Sequence, residues 1–210
     1  EKMIKDAPLD PTTGQRVNPF ASYGTPKKGD FLYKDLNGDG VIDDNDKYAV
    51  GHGLAPRLTY GFSLGAEWNG FDFSCLFQGN AGLQVYWQDK FYMGYINYGD
   101  VINKEIAEGA WREGRTNATY PRLLTGLNTL NAQPSDFWVQ NKSYLRLKNV
   151  QIGYKIPKKL LQKLDISQLR LYTSLENMLT FTSYKGIDPE ISGTTYPTMK
   201  QITVGVNVVF

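Results

Sequence analysis

With 210 residues, 23 Lys plus Arg against 21 Asp plus Glu, and a formal net charge of +2, the chain is long enough for one domain with a sizeable core. Its charge balance makes no case for nucleic acid as a partner. No run approaches the ~18 apolar residues of a spanning helix, and one cysteine, Cys75, excludes an internal disulfide framework.

The 14 Tyr, 10 Phe and 4 Trp, with 21 Gly, favour strands and turns over helices. The opening Glu1-Lys-Met-Ile-Lys-Asp-Ala-Pro8 is polar, carries no signal-peptide pattern and reads as mid-protein. Residues 1–29 are rich in Pro, Gly, Thr and Asn and read as loop, with a short extended piece expected at Gln15–Phe20.

Asp30 to Tyr33 reads as extended and leads into Lys34-Asp-Leu-Asn-Gly-Asp-Gly-Val-Ile-Asp-Asp-Asn-Asp46. Asp35, Asn37, Asp39, Asp43 and Asp46 fall at positions 1, 3, 5, 9 and 12 of a twelve-residue calcium loop, with the Val41 carbonyl at position 7. A hard cation takes six to eight oxygens, and alternate residues on a tight loop can converge on it. Gly40 stands where the loop must turn sharply, and Ile42 serves as an apolar anchor. Two departures matter: Asp46 replaces the usual Glu, and neither flank is helical. The reading is a structural Ca2+ site rather than a sensor, with an ion-free Asx-rich turn as the open alternative. His52, alone between two glycines, reads as an exposed loop residue.

From Arg57 the period changes to two. Tyr60, Phe62, Leu64, Ala66 and Trp68 alternate with small or polar residues, Asn69-Gly70 is a two-residue hairpin turn, and Phe71, Phe73, Cys75 and Phe77 continue the apolar set, with Leu76 as the one lapse. Residues 79–142 form a long excursion. A short helix is expected over Asp100–Trp111, with Asp100 as its N-cap. The excursion's Tyr86, Trp87, Tyr92, Tyr95 and Trp111 are candidates for stacking on a substrate or packing against a partner. That they pack the loop against itself stays open beside it.

Ser143–Pro157 reads as a third strand with Val150, Ile152, Tyr154 and Ile156 on one face. Lys158–Asp165 reads as a helical turn or two, and Leu169–Phe181 as a fourth strand. After a loop at 183–200, Ile202, Val204, Val206, Val208 and Phe210 alternate to the last residue. Asp188 and Glu190 resemble a glycosidase pair in type, but their Pro-containing loop points to a structural role. No nucleophile, acid and base converge, so no enzyme is expected.

A soluble, calcium-stabilised β-module that binds carbohydrate is one all-β reading. A membrane barrel wall fits better: apolar faces end in aromatics such as Tyr60, Trp68, Tyr154 and Phe210, connections alternate short and long, and the opposite faces carry Thr, Ser, Gly, Asn and Glu. Five strands cannot close a barrel, and open edges in lipid would leave backbone groups unpaired, so further strands are expected from elsewhere.

The segments Gly29-Asp-Phe-Leu-Tyr-Lys-Asp-Leu-Asn-Gly-Asp-Gly-Val-Ile-Asp43, Asn69-Gly-Phe-Asp-Phe-Ser-Cys-Leu-Phe-Gln-Gly79, Ser143–Pro157, Tyr184-Lys-Gly-Ile-Asp-Pro-Glu190 and Gly205-Val-Asn-Val-Val-Phe210 occur in that order. Together they resemble the C-terminal end of SusC/RagA-type TonB-dependent outer-membrane transporters of Bacteroidetes. The resemblance implies an antiparallel transmembrane barrel of about 22 strands, with an N-terminal plug and long extracellular loops. It implies TonB and a SusD-like lipoprotein as partners, a glycan or peptide as cargo, and a location in the cell outer membrane. On that basis residues 1–56 are an extracellular loop region holding calcium-type loop 35–46, and residues 57–210 are barrel strands with extracellular loop 79–142. The C-terminus and the Asn69-Gly70 turn are expected on the periplasmic side.

Overall fold

Alternation over residues 58–81 and an Asn-Gly turn leave the chain one short-range choice, a hairpin, and the computed structural model contains it. The structure describes residues 9, 11–15, 18–51, 53, 55–86, 95–96, 102–125, 130–162, 164–191 and 196–210, with backbone alone at 95, 96 and 125. Strand β1 (Leu58–Trp68) and strand β2 (Phe71–Ala81) pair antiparallel through Asn69 (φ 49°) and Gly70 (φ 86°). Two consecutive positive φ values match the right-handed twist of the flanking strands, which is why Asn-Gly is favoured there.

Three short strands follow in the excursion: β3 (Gln84–Tyr86), β4 (Tyr95–Ile96) and β5 (Leu124–Thr125). Strand β6 (Val139–Asn141) then leads into β7 (Tyr144–Lys155), β8 (Gln168–Thr182) and β9 (Gln201–Val209). The main sheet runs in the order β1-β2-β7-β8-β9 and is antiparallel throughout. Short connections lie at the Trp68–Phe71 end, where Lys155 faces Arg170 and Gln168 faces Val209. The long connections leave and return at the opposite end, where Leu58 faces Ala81 and Tyr144 faces Thr182. Strand β2 runs to Ala81, so the excursion begins later than residue 79.

A bulge interrupts the alternation of β7. Leu76 faces Asn149 while Phe77 faces Leu147, so Lys148 is the extra residue, and Leu145 and Leu147 join Val150, Ile152 and Tyr154 on one face. On β8 the same irregularity is taken up around Asn177, which adopts φ 54°. Leu76 itself sits between Ser63 and Asn149 on the other, polar face.

The chain divides into two compact units: residues 1–50 with 86–138, and residues 51–85 with 139–210. The first unit has two small cores. In one, Ile106, Tyr120 and Trp138 are buried, with Phe31, Tyr86, Ile102 and Leu123 against them; in the other, Phe20, Ile42 and Leu130 are buried beneath Tyr23 and Tyr33. Its deepest ion pair joins Arg122 Nε to Asp30 Oδ1 at 2.7 Å, and Asn131 donates to the same oxygen at 2.9 Å.

Two local expectations are corrected. Residues 18–20 are not extended: the Asn18 side chain accepts the Phe20 N–H at 3.1 Å and the Asn18 carbonyl accepts the Ala21 N–H, which curls the chain into turns. The helix α1 spans Lys104–Gly109, and its N-cap is Asn103, whose side chain accepts the Glu105 N–H at 2.8 Å. It stops before Trp111 because Ala110 is already extended and bridges Tyr120. The proposed cap Asp100 lies outside the described residues. Helix α2 (Lys158–Leu161) follows Pro157 as a single turn, the shorter of the two lengths expected over Lys158–Asp165.

Candidate functional site: a two-faced sheet and the loop clamped to it

Register decides which side chains share a face. On one face lie Phe62, Leu64, Ala66 and Trp68 of β1, Phe71, Phe73, Cys75 and Phe77 of β2, Val150, Ile152 and Tyr154 of β7, Leu171 and Leu175 of β8, and Ile202, Val204, Val206 and Val208 of β9. Most are exposed, with Trp68 and Val204 at 77%. Cys75 is the exception, buried at 7% among its neighbours with its thiol free. The Phe71 and Tyr154 rings meet at 4.5 Å near the short-turn end, and the Phe62 and Phe77 rings stack at 4.9 Å.

The opposite face is polar and knitted together. The Arg170 guanidinium pairs with Asp72 and donates to Gln151 Oε1 at 2.9 Å. It crosses directly above Gly153, where any Cβ would come within 2.5 Å of it, and it lies over the Tyr172 ring at 5.1 Å. Tyr172 in turn covers Gly205. Asn149 donates to Ser174 Oγ at 2.9 Å. These are cross-strand pairs of the type that stabilise a sheet face without a core beneath it.

At the long-loop end, the loop after β8 folds back onto β7. Arg146 Nη2 donates to Asp188 Oδ1 and Nη1 to Glu190 Oε2, both at 2.7 Å, and Nε donates to Thr180 Oγ1 at 2.8 Å. Lys148 Nζ meets Glu190 at 2.7 Å. The Arg146 and Asp188 side chains are each 4% exposed. Burial pushes the Asp188 carboxyl up, but Arg146 and the amides of Glu190 and Thr198 outweigh it and hold the group below the usual carboxylate range. Asp188 and Glu190 are therefore committed to ion pairs, which leaves no free acid and base for glycoside hydrolysis. Period-two reading of β7 stopped at its apolar residues. The same alternation places Lys142, Tyr144, Arg146 and Lys148 in a row, a signal that was there to be used.

The acidic loop is held by side-chain–amide hydrogen bonds. Asp35 accepts the Gly38 and Gly40 N–H groups, Asn37 accepts Asp39, Asp39 accepts Val41, and Asp43 accepts Asn45, at 2.6–2.9 Å. Asp46 is 9% exposed and turns both oxygens to backbone amides, those of Leu36 and Asp43. Those amides hold its carboxyl low. Ile42, 1% exposed, anchors the loop into the Phe20–Leu130 core. Tyr23 donates its hydroxyl to Asp44, and burial beside these acids pushes its pKa up to about 12. Oxygen donors of these types are those a hard cation takes. Among the described residues, though, no three acidic, His or Cys side chains gather at one point, and side-chain–amide bonds hold the loop.

Of the candidate contact aromatics, Tyr86 packs against the Ile106–Tyr120–Trp138 core and Trp111 lies across Gly29, whose Cβ would come within 2.3 Å of the ring. Both are engaged inside their own unit. Trp87, Tyr92 and His52 lie outside the described residues, and Tyr95 is described by backbone alone in β4.

No family model matches the chain. It is 31% identical to "TonB-dependent receptor P3" of Formosa agariphila over 89% of its own length and 20% of that protein's. It is 27% identical to "TonB-dependent receptor SusC" of Bacteroides thetaiotaomicron over 85% of its length and 17% of that protein's. Among solved structures, it superimposes on the RagAB peptide transporter with a TM-score of 0.63 at 28% identity, covering 80% of this chain and 19% of that one. On the "closed-closed" state of the RagAB peptide importer the TM-score is 0.62 at 26% identity, covering 97% and 20%. The chain thus spans about a fifth of the length of the proteins it matches. No helix among the described residues is long and apolar enough to cross a membrane. In sequence and in fold, the chain is related along most of its length to TonB-dependent receptors of the SusC/RagA kind.

Proposed function

We propose that this chain is the C-terminal barrel segment of an outer-membrane importer that draws glycans or peptides inward with TonB and a SusD-like lipoprotein. The observation that carries it is the division of the five-stranded sheet into an exposed apolar face and a hydrogen-bonded polar face. Water would penalise the first; a bilayer would accept it, while the second suits a wet lumen. An eleven-residue strand at ~3.3 Å per residue, tilted ~40°, covers about 28 Å, close to the apolar band of such barrels. Among the described residues β1 and β9 pair along one edge only, so the rest of an about 22-stranded barrel would come from the remaining protein. Short turns at one end and long connections at the other support a periplasmic placement for Asn69-Gly70 and the C-terminus. In this reading transport is gated passage without chemistry on the cargo.

The acidic loop is proposed as a structural Ca2+ site, held by Asp35, Asn37, Asp39, the Val41 carbonyl, Asp43 and Asp46. A bound cation would supply charge neutralisation alone. The reading rests on spacing and on the turn at Gly40 (φ 84°).

The test uses the full-length protein: fractionation of outer membranes, followed by gel migration with and without boiling. A band in the membrane fraction that shifts on heating is expected. A soluble species with heat-independent migration would end the barrel reading.

A further inference from the structure

The segment Tyr184-Lys-Gly-Ile-Asp-Pro-Glu190 is one of the ordered motifs of the sequence, yet the importer reading assigns it nothing. Its placement is unusual for a loop. Strand β9 begins at Gln201 opposite Glu176, while β8 runs on to Thr182. Residues 183–191 of the connection between them double back along the polar face of β7. Their contacts fall on β6, on Lys142 and on the first half of β7. The Lys185 N–H donates to Gln140 Oε1 at 3.2 Å, Lys142 lies over the Tyr184 ring at 5.5 Å and donates to the Ile191 carbonyl, Arg146 grips Asp188 and Glu190, and Lys148 takes Glu190 at the bulge. Asp188 also accepts the Glu190 and Thr198 N–H groups at 2.8 and 3.1 Å, tying both limbs of the loop to one carboxylate. Asn177, in the left-handed conformation at the bulge of β8, donates to the Met199 carbonyl at 3.1 Å and fixes the return limb.

We propose that residues 183–191 are a fixed strap, a permanent part of the wall on the polar face, rather than a loop that swings open during passage. A moving lid needs an interface it can leave at small cost, whereas leaving here would break both Arg146 ion pairs, the Lys148–Glu190 pair and the Lys142 and Gln140 hydrogen bonds together. The acids turn toward β7, and Ile187 is left on the outside of the strap. Charged residues of β7 are thereby covered, and the strap narrows the space above them. The narrowing of a lumen rests on the barrel reading; the clamp itself does not.

Amide hydrogen exchange on the full-length protein in detergent tests this, comparing wild type with Asp188→Asn/Glu190→Gln, which preserves side-chain volume. In wild type the Lys185, Glu190 and Thr198 amides should exchange as slowly as the flanking amides of β7. In the double variant they should speed up by about a hundredfold while β7 stays protected, the rate equivalent of losing a buried pair. Should the double variant fail to assemble, as judged by its heat-shifted band, Glu190→Gln alone serves, because that side chain is the more exposed of the two at 15%. Wild-type strap amides exchanging at the rate of an open loop would overturn the proposal, as would rates that the variants leave unchanged. A soluble full-length protein would remove the lumen but leave the clamp measurable.

Discussion

Replacing Arg146 by Met isolates what the clamp contributes to stability. The guanidinium makes three short bonds, to Asp188, Glu190 and Thr180, from a side chain that is 4% exposed. Methionine fills comparable length with no charge, so Asp188 keeps its two amide donors but loses its cation, while Glu190 retains Lys148. Breaking a buried pair by removing one partner costs about 3–5 kcal/mol. The surviving partners argue for the lower end, about 3 kcal/mol. Pairing the change with Asp188→Asn should recover part of the loss, with a coupling of about 1–3 kcal/mol. Pulse proteolysis of the full-length protein across a urea series reads both quantities. A cost below about 1 kcal/mol for Arg146→Met, or strict additivity in the double variant, would refute the clamp as a stabilising unit. The pH dependence has a definite sign. Because the Asp188 carboxyl is held below its ordinary range in the folded state, its contribution is present above that range and is lost as pH falls below it. The gap between wild type and Asp188→Asn should therefore stay constant from neutral to mildly acidic pH and close only in strong acid.

Leu64→Lys, near the middle of β1 on the exposed apolar face, should cost about 2–4 kcal/mol in folding into vesicles, whereas Ser63→Lys on the polar face should be tolerated; equal effects would contradict the assignment of faces. Gly205→Val should destabilise by about 1–3 kcal/mol because the Tyr172 ring occupies that space, and Tyr172→Ala in the same background should relieve it. Asp39→Ala with Asp43→Ala should lower thermal stability in calcium but not in excess chelator; the same loss in both would rule out the cation. Gly70→Ala should cost about 1 kcal/mol in the same urea series, since its φ of 86° suits glycine; no change would mean the turn relaxes.

The hairpin and β9 are legible in the sequence because their information is local. Alternation from Leu58 to Ala81, interrupted by Asn69-Gly70, permits one register, and a slip by one residue would turn every Phe onto the wrong face. Within the acidic loop, Asn37, Asp39 and Asp43 each accept an amide two residues on, a local bond that spacing conveys, whereas Asp46 turns back to Leu36, ten residues earlier. Strand β7 was only half legible, since the bulge at Lys148 shifts the alternation from odd to even positions, and a strict period loses the thread there. What could not be read is choice of partner across distance. Asp30 pairs with Arg122 and Asn131, separated by 92 and 101 residues, and nothing near any of the three specifies the others. Asp188 and Arg146 stand 42 residues apart, and both were visible as charged residues on elements correctly expected. Their meeting depends on a loop turning inward, which local composition does not encode.

The inverted layout of the sheet unit links these points. In a water-soluble sandwich the large apolar side chains of two sheets would face each other and the charges would face outward. Here Phe62, Leu64, Phe73, Ile152 and Val204 stand in the open, while the buried residues of the same unit include Lys142, Arg146, Ser174 and Asp188. Each buried charge must then be matched, since an unpaired one costs several kcal/mol and there is no apolar core beneath to offset it. The structure meets that requirement with Arg170 between Asp72 and Gln151 at one end and with the strap's two acids on Arg146 and Lys148 at the other. Without the strap, the β7 cations would face the polar side unmatched. The strap is thus the electrostatic complement that lets a strand so rich in positive charge belong to this sheet, which is a further physical reason for it to stay in place.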